Sequence, residues 1–234
     1  MNDGAAKDLL RRTGWLAGEP AWLVDALLGC ARITSWKADE LIYLVGDEPG
    51  GIYGLAQGGI GVLLPSGGSE MVLAHVLRPG AWFGLGPILA KSRRTLTFRT
   101  VEPCRTAQVS LADLNAIGQR NPDLFRRLGA LSEAGFYNLA IRIVGDLLIP
   151  SGEKRVAAVL ARIAGTGHAA PLVTEGPIRL SQAMIGQMSN CSRDRVNQAL
   201  RKFAASGWIR VDYRQITVIN LAALETFARG EENN

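Results

Sequence analysis

Apolar residues fall into three textures along the chain. Over the first 30 positions Trp15, Leu16, Trp22, Leu23, Ala26 and Leu27 recur at helical spacing and predict a short helical start. From Ile33 to Ser110 short apolar runs alternate with Gly, Pro and Asp: Leu41–Val45, Gly51–Leu55, Ile60–Leu64, Met71–Val76, Thr95–Val101 and Thr106–Val109. GDEPGG (46–51), GG (58–59), PSGG (65–68) and RPG (78–80) separate them. Short strands closed by frequent turns predict a compact antiparallel β barrel or roll.

The third texture is helical. Ser110 is placed to cap a short helix ending near Asn121, and Asn121-Pro122 restarts the chain, with Asn121 able to cap the next helix and Pro122 suited to its first turn. Leu124, Leu128, Leu131, Phe136, Leu139, Ile143 and Leu147 then predict one helix over about 122–148. At about 1.5 Å per residue it reaches about 40 Å, more than a small domain needs for its own core. Gly129, Gly135 and Gly145 weaken it by about 1 kcal/mol each and permit close approach of a second helix. A helix packed only on its own chain is the competing explanation. Ile149-Pro150-Ser151-Gly152 must break the helix. Ser151 then caps a new one with Val156, Val159, Leu160 and Ile163 as its apolar face. The domain boundary is placed here, giving residues 1–149 and 150–234, with a polar connector from Gly165 to Gly176.

Leu180 to Phe203 reads LSQAMIGQMSNCSRDRVNQALRKF. Ser181 caps a short helix with Met184, Ile185 and Met188 inward, and Gly186 is small where a second helix crosses. Ser189-Asn190-Cys191 forms the turn, Asn190 being tolerant of positive φ. Ser192 caps a second helix with Val196, Ala199, Leu200 and Phe203 inward. That pattern is a helix-turn-helix, whose second helix offers Arg193, Asp194, Arg195, Asn197 and Gln198 to a DNA major groove. Trp208–Tyr213 and Gln215–Ile219 are β-prone runs around a polar turn, which makes the motif winged. Arg210, Tyr213 and Arg214 are available for backbone phosphates.

Charge sharpens this picture. The 234 residues carry a net +5, yet residues 1–150 hold 15 Lys/Arg against 14 Asp/Glu. Residues 179–214 hold Arg179, Arg193, Arg195, Arg201, Lys202, Arg210 and Arg214 against only Asp194 and Asp212. The excess is local, as a phosphate-binding surface requires, although a solvated basic face has the same composition. Hydrophobic residues make up 47% and charged residues 20%, enough apolar material for a packed core and against intrinsic disorder. No apolar run approaches the roughly 20 residues that span a bilayer, and Met1–Arg12 lacks the apolar segment of a secretory signal. Cys30, Cys104 and Cys191 are widely spaced and odd in number, forming neither a disulfide framework nor a CxxC pair. A cytoplasmic location without membrane contact is expected.

The chain closely resembles the Crp/Fnr family of bacterial transcription regulators over about residues 15–225. The resemblance is carried by LSQAMIGQMSNCSRDRVNQAL, the GD-x4-IYGL-x2-G run (46–58), RPGAWFG (78–84), NPDLF and KRVAAVLARIA. It implies an α+β chain: an N-terminal antiparallel β-roll sensor domain, a long dimerisation helix and a C-terminal winged helix-turn-helix domain. It further implies a homodimer on a palindromic double-stranded DNA site, with RNA polymerase as a candidate contact. By the resemblance Arg193, Asp194 and Gln198 stand at base-reading positions, while Ser181, Ser192 and Arg195 face phosphates. Arg193 can pair with guanine O6/N7, Asp194 can accept from cytosine N4, and Gln198 can bond adenine N6/N7. Asn197, Arg201, Lys202, Arg210 and Arg214 complete the candidate DNA surface. Gln198 replaces an arginine typical of cyclic-AMP-responsive members, so their half-site does not transfer.

The roll departs from those members further. Gly84 is followed by Leu85 where they carry a ribose-binding glutamate, while Arg94-Thr95 remains as a phosphate clamp. Leu139 and Ala140 stand where the long helix would bond adenine. Gly84, Leu85, Arg94, Thr95 and Leu139 are thus the candidate effector pocket, and tight cyclic AMP binding is not expected, since each unpaired polar group forfeits about 1–3 kcal/mol. Three cysteines without N-terminal clustering do not suit an iron–sulfur cluster, and His75, the one histidine in the roll, reads as a solvent-facing or hydrogen-bonded strand residue, not a haem ligand. No metal site, cofactor or catalytic residue is expected, and His168 lies in the connector. A signalling module acting through protein contacts is the alternative function. An enzyme has little material to work with: no nucleophile–base pair, metal cluster or P-loop stands out.

Overall fold

In the computed structural model, which describes residues 1–66, 70–165 and 177–230, the β-prone middle of the chain forms two antiparallel sheets. The strands are β1 (Arg32–Trp36), β2 (Leu41–Tyr43), β3 (Gly51–Gln57), β4 (Ile60–Pro65), β5 (Met71–Leu77), β6 (Trp82–Phe83), β7 (Thr97–Thr100) and β8 (Cys104–Ser110). One sheet has the order β1-β8-β3-β6 and the other β2-β7-β4-β5. β3 runs along β8 from Gly51↔Ser110 to Gln57↔Arg105, with an irregularity between Leu55 and Gln57. Tyr43, Tyr53, Phe83 and Phe98 fill the roll, with Phe83 and Phe98 stacked at 4.7 Å between ring centres.

A second core joins helices to the sheet that contains β3 and β8. Helices α1 (Asp3–Arg12) and α2 (Ala21–Cys30) flank a 3-10 turn at Trp15–Gly18, and Leu10, Leu16, Leu23 and Leu27 pack with Ile52, Trp82 and Val109. Short α3 (Gly86–Leu89) follows β6. Helix α4 (Leu111–Arg120) begins as expected, with Ser110 Oγ accepting from the Asp113 amide at 3.0 Å. Asn121 closes α4, so it does not cap the next helix, and Pro122 takes that place ahead of α5 (Asp123–Ser132). The long helix is not uniform: a wide π turn at Glu133–Tyr137 separates α5 from α6 (Asn138–Leu148).

By contacts the chain divides into two units. Among the described residues the first holds Met1–Leu63 and Val76–Leu139, and the second holds residues 64–66, 70–75, 140–165 and 177–230. In the second unit α7 (Gly152–Ile163), α8 (Gln182–Ser189), α9 (Arg193–Ala205) and α10 (Leu221–Arg229) accompany the ribbon β9 (Ile209–Asp212) and β10 (Gln215–Val218). Val156, Leu160, Ile185, Val196, Leu200 and Phe203 are buried among them, and Phe203 stacks on Trp208 at 5.6 Å.

Arg162 of α7 is also buried in this unit. Its Nε donates to Asp146 at 2.7 Å, and Nη1 lies 3.2 Å from the Ala74 carbonyl and 2.9 Å from His75 Nδ1. Because a guanidinium can only donate, His75 Nδ1 is the acceptor. His75 is therefore a buried, hydrogen-bonded residue and not a solvent-facing one. His168 and the connector beyond Gly165 lie outside the described residues. No helix among the described residues is long and apolar enough to cross a membrane.

Candidate nucleic-acid interface

Two capped helices and a left-handed residue build the motif. Ser181 Oγ accepts from the Met184 amide at 3.2 Å, and Ser192 Oγ accepts from the Arg195 amide at 3.4 Å. Each hydroxyl spends an acceptor site on its own helix and keeps its hydrogen for another acceptor. Asn190 sits at φ 49°, ψ 52°, the left-handed conformation that closes α8. The Cys191 amide then donates back to the Gly186 carbonyl at 3.0 Å. Gly186 must be glycine here, since a Cβ would stand 2.9 Å from the Cys191 carbonyl oxygen.

With this turn set, the faces of α9 follow from about 100° per residue. Val196, Ala199, Leu200 and Phe203 are buried on one arc. Asp194, Asn197, Gln198 and Arg201 share the opposite arc, exposed except for partly buried Asn197, and exposed Arg193, the first residue of the helix, stands at the edge between the two arcs. Arg195 and Lys202 lie at the flank of the outer arc. Arg195 lays its stem against Gly152 at the start of α7, and Lys202 pairs with Glu153 at 3.0 Å over the Phe227 ring. A helix of this width matches a major groove about 12 Å wide.

The ribbon beside it is a tight hairpin. Asp212 pairs with Gln215, leaving Tyr213 and Arg214 as the turn, with Arg214 at φ 55°. Tyr213 is 88% exposed. Arg210 pairs with Asp212 at 3.3 Å across an exposed surface, a contact weak enough to yield to a phosphate. Ile178 adds a bridge to Ile216 on the other edge.

In the roll, Gly84, Leu85, Arg94 and Thr95 line one cavity of about 160 Å³ with Tyr43, Leu96, Phe98, Ser132 and Phe136. Leu139 does not join them; it lines a separate apolar cavity of about 50 Å³ with Trp15, Trp82 and Phe136. The π turn at Glu133–Tyr137 lies between Ser132, which lines the first cavity, and Leu139, which lines the second. Arg94 is 2% exposed and already engaged: Nη1 donates to the Gly84 carbonyl at 2.7 Å and Nη2 to the Gly51 carbonyl at 2.8 Å. Gly84, at φ 89°, admits that contact, since a Cβ there would meet Arg94 Nη1 at 2.9 Å. Burial pushes the Tyr43 hydroxyl well above the usual phenol range, although the Arg94 charge opposes the shift.

Sequence reasoning missed Arg155, which binds carbonyls at the helix-turn-helix turn. A lone arginine four residues beyond the Ser151 cap was the available signal, and it looks like any exposed residue of a helix start.

A roll of antiparallel sheets and a winged helix-turn-helix with a basic outer face define a DNA-binding regulator built on a sensor-type fold. Residues 33–121 match the cyclic nucleotide-binding domain, and residues 154–227 match the Crp-like helix-turn-helix domain. The cAMP-activated global transcriptional regulator CRP of Pasteurella multocida is 26% identical over 180 residues, 76% of this chain and 85% of its own. The cAMP-activated global transcriptional regulator Vfr of Pseudomonas aeruginosa is 24% identical over 83% of this chain and 92% of its own. The solved structure of FixK2 from Bradyrhizobium japonicum has a similar fold, with a TM-score of 0.69 at 22% identity, covering 84% of this chain and 96% of that one. The chain belongs to the Crp/Fnr family of DNA-binding transcription regulators.

Proposed function

We propose that this chain is a cytoplasmic homodimer that reads a palindromic DNA site and does so without cyclic AMP. The observation that carries the DNA-reading part is the outer surface of α9, where Asp194, Asn197, Gln198 and Arg201 stand opposite a buried arc of four apolar residues and exposed Arg193 leads the helix. Arg193 pairs with guanine, Asp194 accepts from cytosine, and Gln198 reads adenine in this assignment. Ser181, Ser192, Arg195, Lys202, Arg210 and Arg214 contact phosphates, which set register and carry the salt dependence. RNA polymerase is a partner at the promoter by the same family reading.

Dimerisation is supported by α6, where Ile141, Val144 and Leu148 are 54%, 56% and 75% exposed along one face. Three large apolar side chains spaced three and four apart form the seam of a helix pair. Independence from cyclic AMP is supported by the roll. Arg94 is bonded to two carbonyls, Leu85 supplies no ribose acceptor, and about 160 Å³ is roughly half the smallest pocket typical of a drug-sized ligand. The two named relatives are cAMP-activated, whereas Leu85 stands here where the resemblance to cyclic-AMP-responsive members places a ribose-binding glutamate.

Selection of duplexes from a random library by the full chain tests the reading. The expected product is an inverted repeat, bound by two chains per duplex. Enrichment of no sequence, with equal affinity for all duplexes, contradicts it.

A further inference from the structure

The guanidinium of Arg155 has a partner for every hydrogen. Nε donates to the Ser189 carbonyl at 2.8 Å, and Nη1 donates to the carbonyls of Ile149 at 2.8 Å and Pro150 at 3.2 Å. Nη2 donates to the Asn190 carbonyl at 3.2 Å and to Cys191 Sγ at 3.6 Å. An arginine carries five N–H donors in one rigid plane, so these five contacts use them all.

The acceptors come from two distant stretches of sequence. Ile149 and Pro150 follow directly on the last residue of α6, while Ser189 and Asn190 end α8 and open the turn to α9. Both are C-terminal helix ends, where carbonyls lack intrahelical partners and the helix dipole is negative. A planar cation between two such ends satisfies both sets at once. Lysine, with three donors on one point charge, reaches only one set at a time.

We propose that Arg155 is the positioning residue of the recognition helix, joining the end of α6 and the helix-turn-helix turn so that they move as one piece. The inference rests on α9 being the helix that reads DNA. Ser192, the cap of α9, is two residues beyond Asn190, so a displacement of the turn passes directly to Arg193 and Asp194. Arg155 keeps no N–H for a phosphate, which separates its role from that of Arg195, Arg210 and Arg214.

The test compares Arg155→Lys and Arg155→Met with the wild-type chain on a duplex selected by that chain and on a random duplex, across a salt series. Both variants are expected to lose about tenfold or more on the selected duplex. Affinity for random duplex and the salt slope stay at wild-type values. Recovery of wild-type binding by Arg155→Lys overturns the proposal, because charge alone would then suffice. Equal loss on both duplexes with a shallower salt slope overturns it too, since that marks a phosphate contact. A measurement on the unmodified chain covers the case of variants that do not fold. The Arg155 Nε–H resonance is expected to exchange with water far more slowly than that of exposed Arg93, and equal rates refute the strut. Failure of the DNA reading itself looks different: the wild-type chain then enriches no duplex, and the proposal falls with it.

Discussion

The guanidinium of Arg94 stands 4.1 Å above the centre of the Tyr43 ring. With its two terminal nitrogens on the Gly84 and Gly51 carbonyls, this arginine ties β3 to the loop after β6 and stacks on the aromatic core. The two carbonyls take two of its five N–H donors, so what disfavours a cyclic nucleotide is Leu85 in place of a ribose acceptor and the small cavity of about 160 Å³. Calorimetry on the full chain is therefore expected to show no sub-micromolar binding of cyclic AMP or cyclic GMP. Sub-micromolar affinity for either would overturn that part of the account.

The exposed face of α6 predicts the oligomeric state. Sedimentation at micromolar concentration should give twice 25.1 kDa. Val144→Glu should return a folded monomer, because two facing carboxylates cannot be buried without partners. A wild-type monomer that binds a full inverted repeat contradicts the helix pairing.

Gly186→Ala tests the turn geometry. Its Cβ would press on a backbone oxygen at 2.9 Å, which cannot rotate away, so the substitution should destabilise the second unit by about 1–3 kcal/mol. Gly129→Ala makes the control, since a Cβ there meets nothing within 4 Å of its own chain. Equal thermal stability of Gly186→Ala and wild type would falsify the close crossing.

Much of the winged helix-turn-helix was legible because its signals are local: serine caps, one residue suited to the left-handed region, and apolar residues at helical spacing. The inward set Ile185, Met188, Val196, Ala199, Leu200 and Phe203 is buried as read, with Met184 only partly covered. The roll was legible as a class but not strand by strand. Arg32–Trp36 mixes charge, Ser and Thr with two apolar residues, and Trp82–Phe83 is two residues long, so neither shows alternation. The π turn in the long helix has no pattern of its own. Arginines were the hardest residues to place. Arg94, Arg155 and Arg162 each bond carbonyls far away in sequence, at Gly51, Ser189 and Ala74, and only the folded chain shows that these charges are already engaged.

Alkaline pH should destabilise the roll. Cys104 is 3% exposed and burial pushes its thiol up to about 12, and Tyr43 is raised in the same way. Both stay protonated in the fold and release their protons once unfolded, so the unfolded state gains as pH rises. Stability from these groups is whole below the ordinary thiol range. It then falls by up to about 1.4 kcal/mol per pH unit for each group in turn, and for Cys104 the loss stops near pH 12. Melting temperatures between pH 7 and pH 10.5 check the trend, and Cys104→Ala should flatten its onset. Iodoacetamide at pH 8 should leave Cys104 unlabelled until denaturant is added, and rapid labelling of the native chain contradicts its burial.

Base reading by α9 is the central claim, and a paired substitution on it is the most direct test. Arg193→Ala should cost about 1–3 kcal/mol on the selected duplex and relax preference at one base pair per half-site. Arg195→Ala should weaken selected and random duplex alike and lower the salt slope by about one unit per half-site contact. Asp194→Ala should weaken the selected duplex, since a carboxylate near phosphates is kept only by a base or by Arg193. Measured side by side across a salt series, these three responses separate reading from neutralising. Equal losses for Arg193→Ala on both duplexes, with Asp194→Ala tightening every sequence equally, would show that α9 contributes net charge and reads nothing.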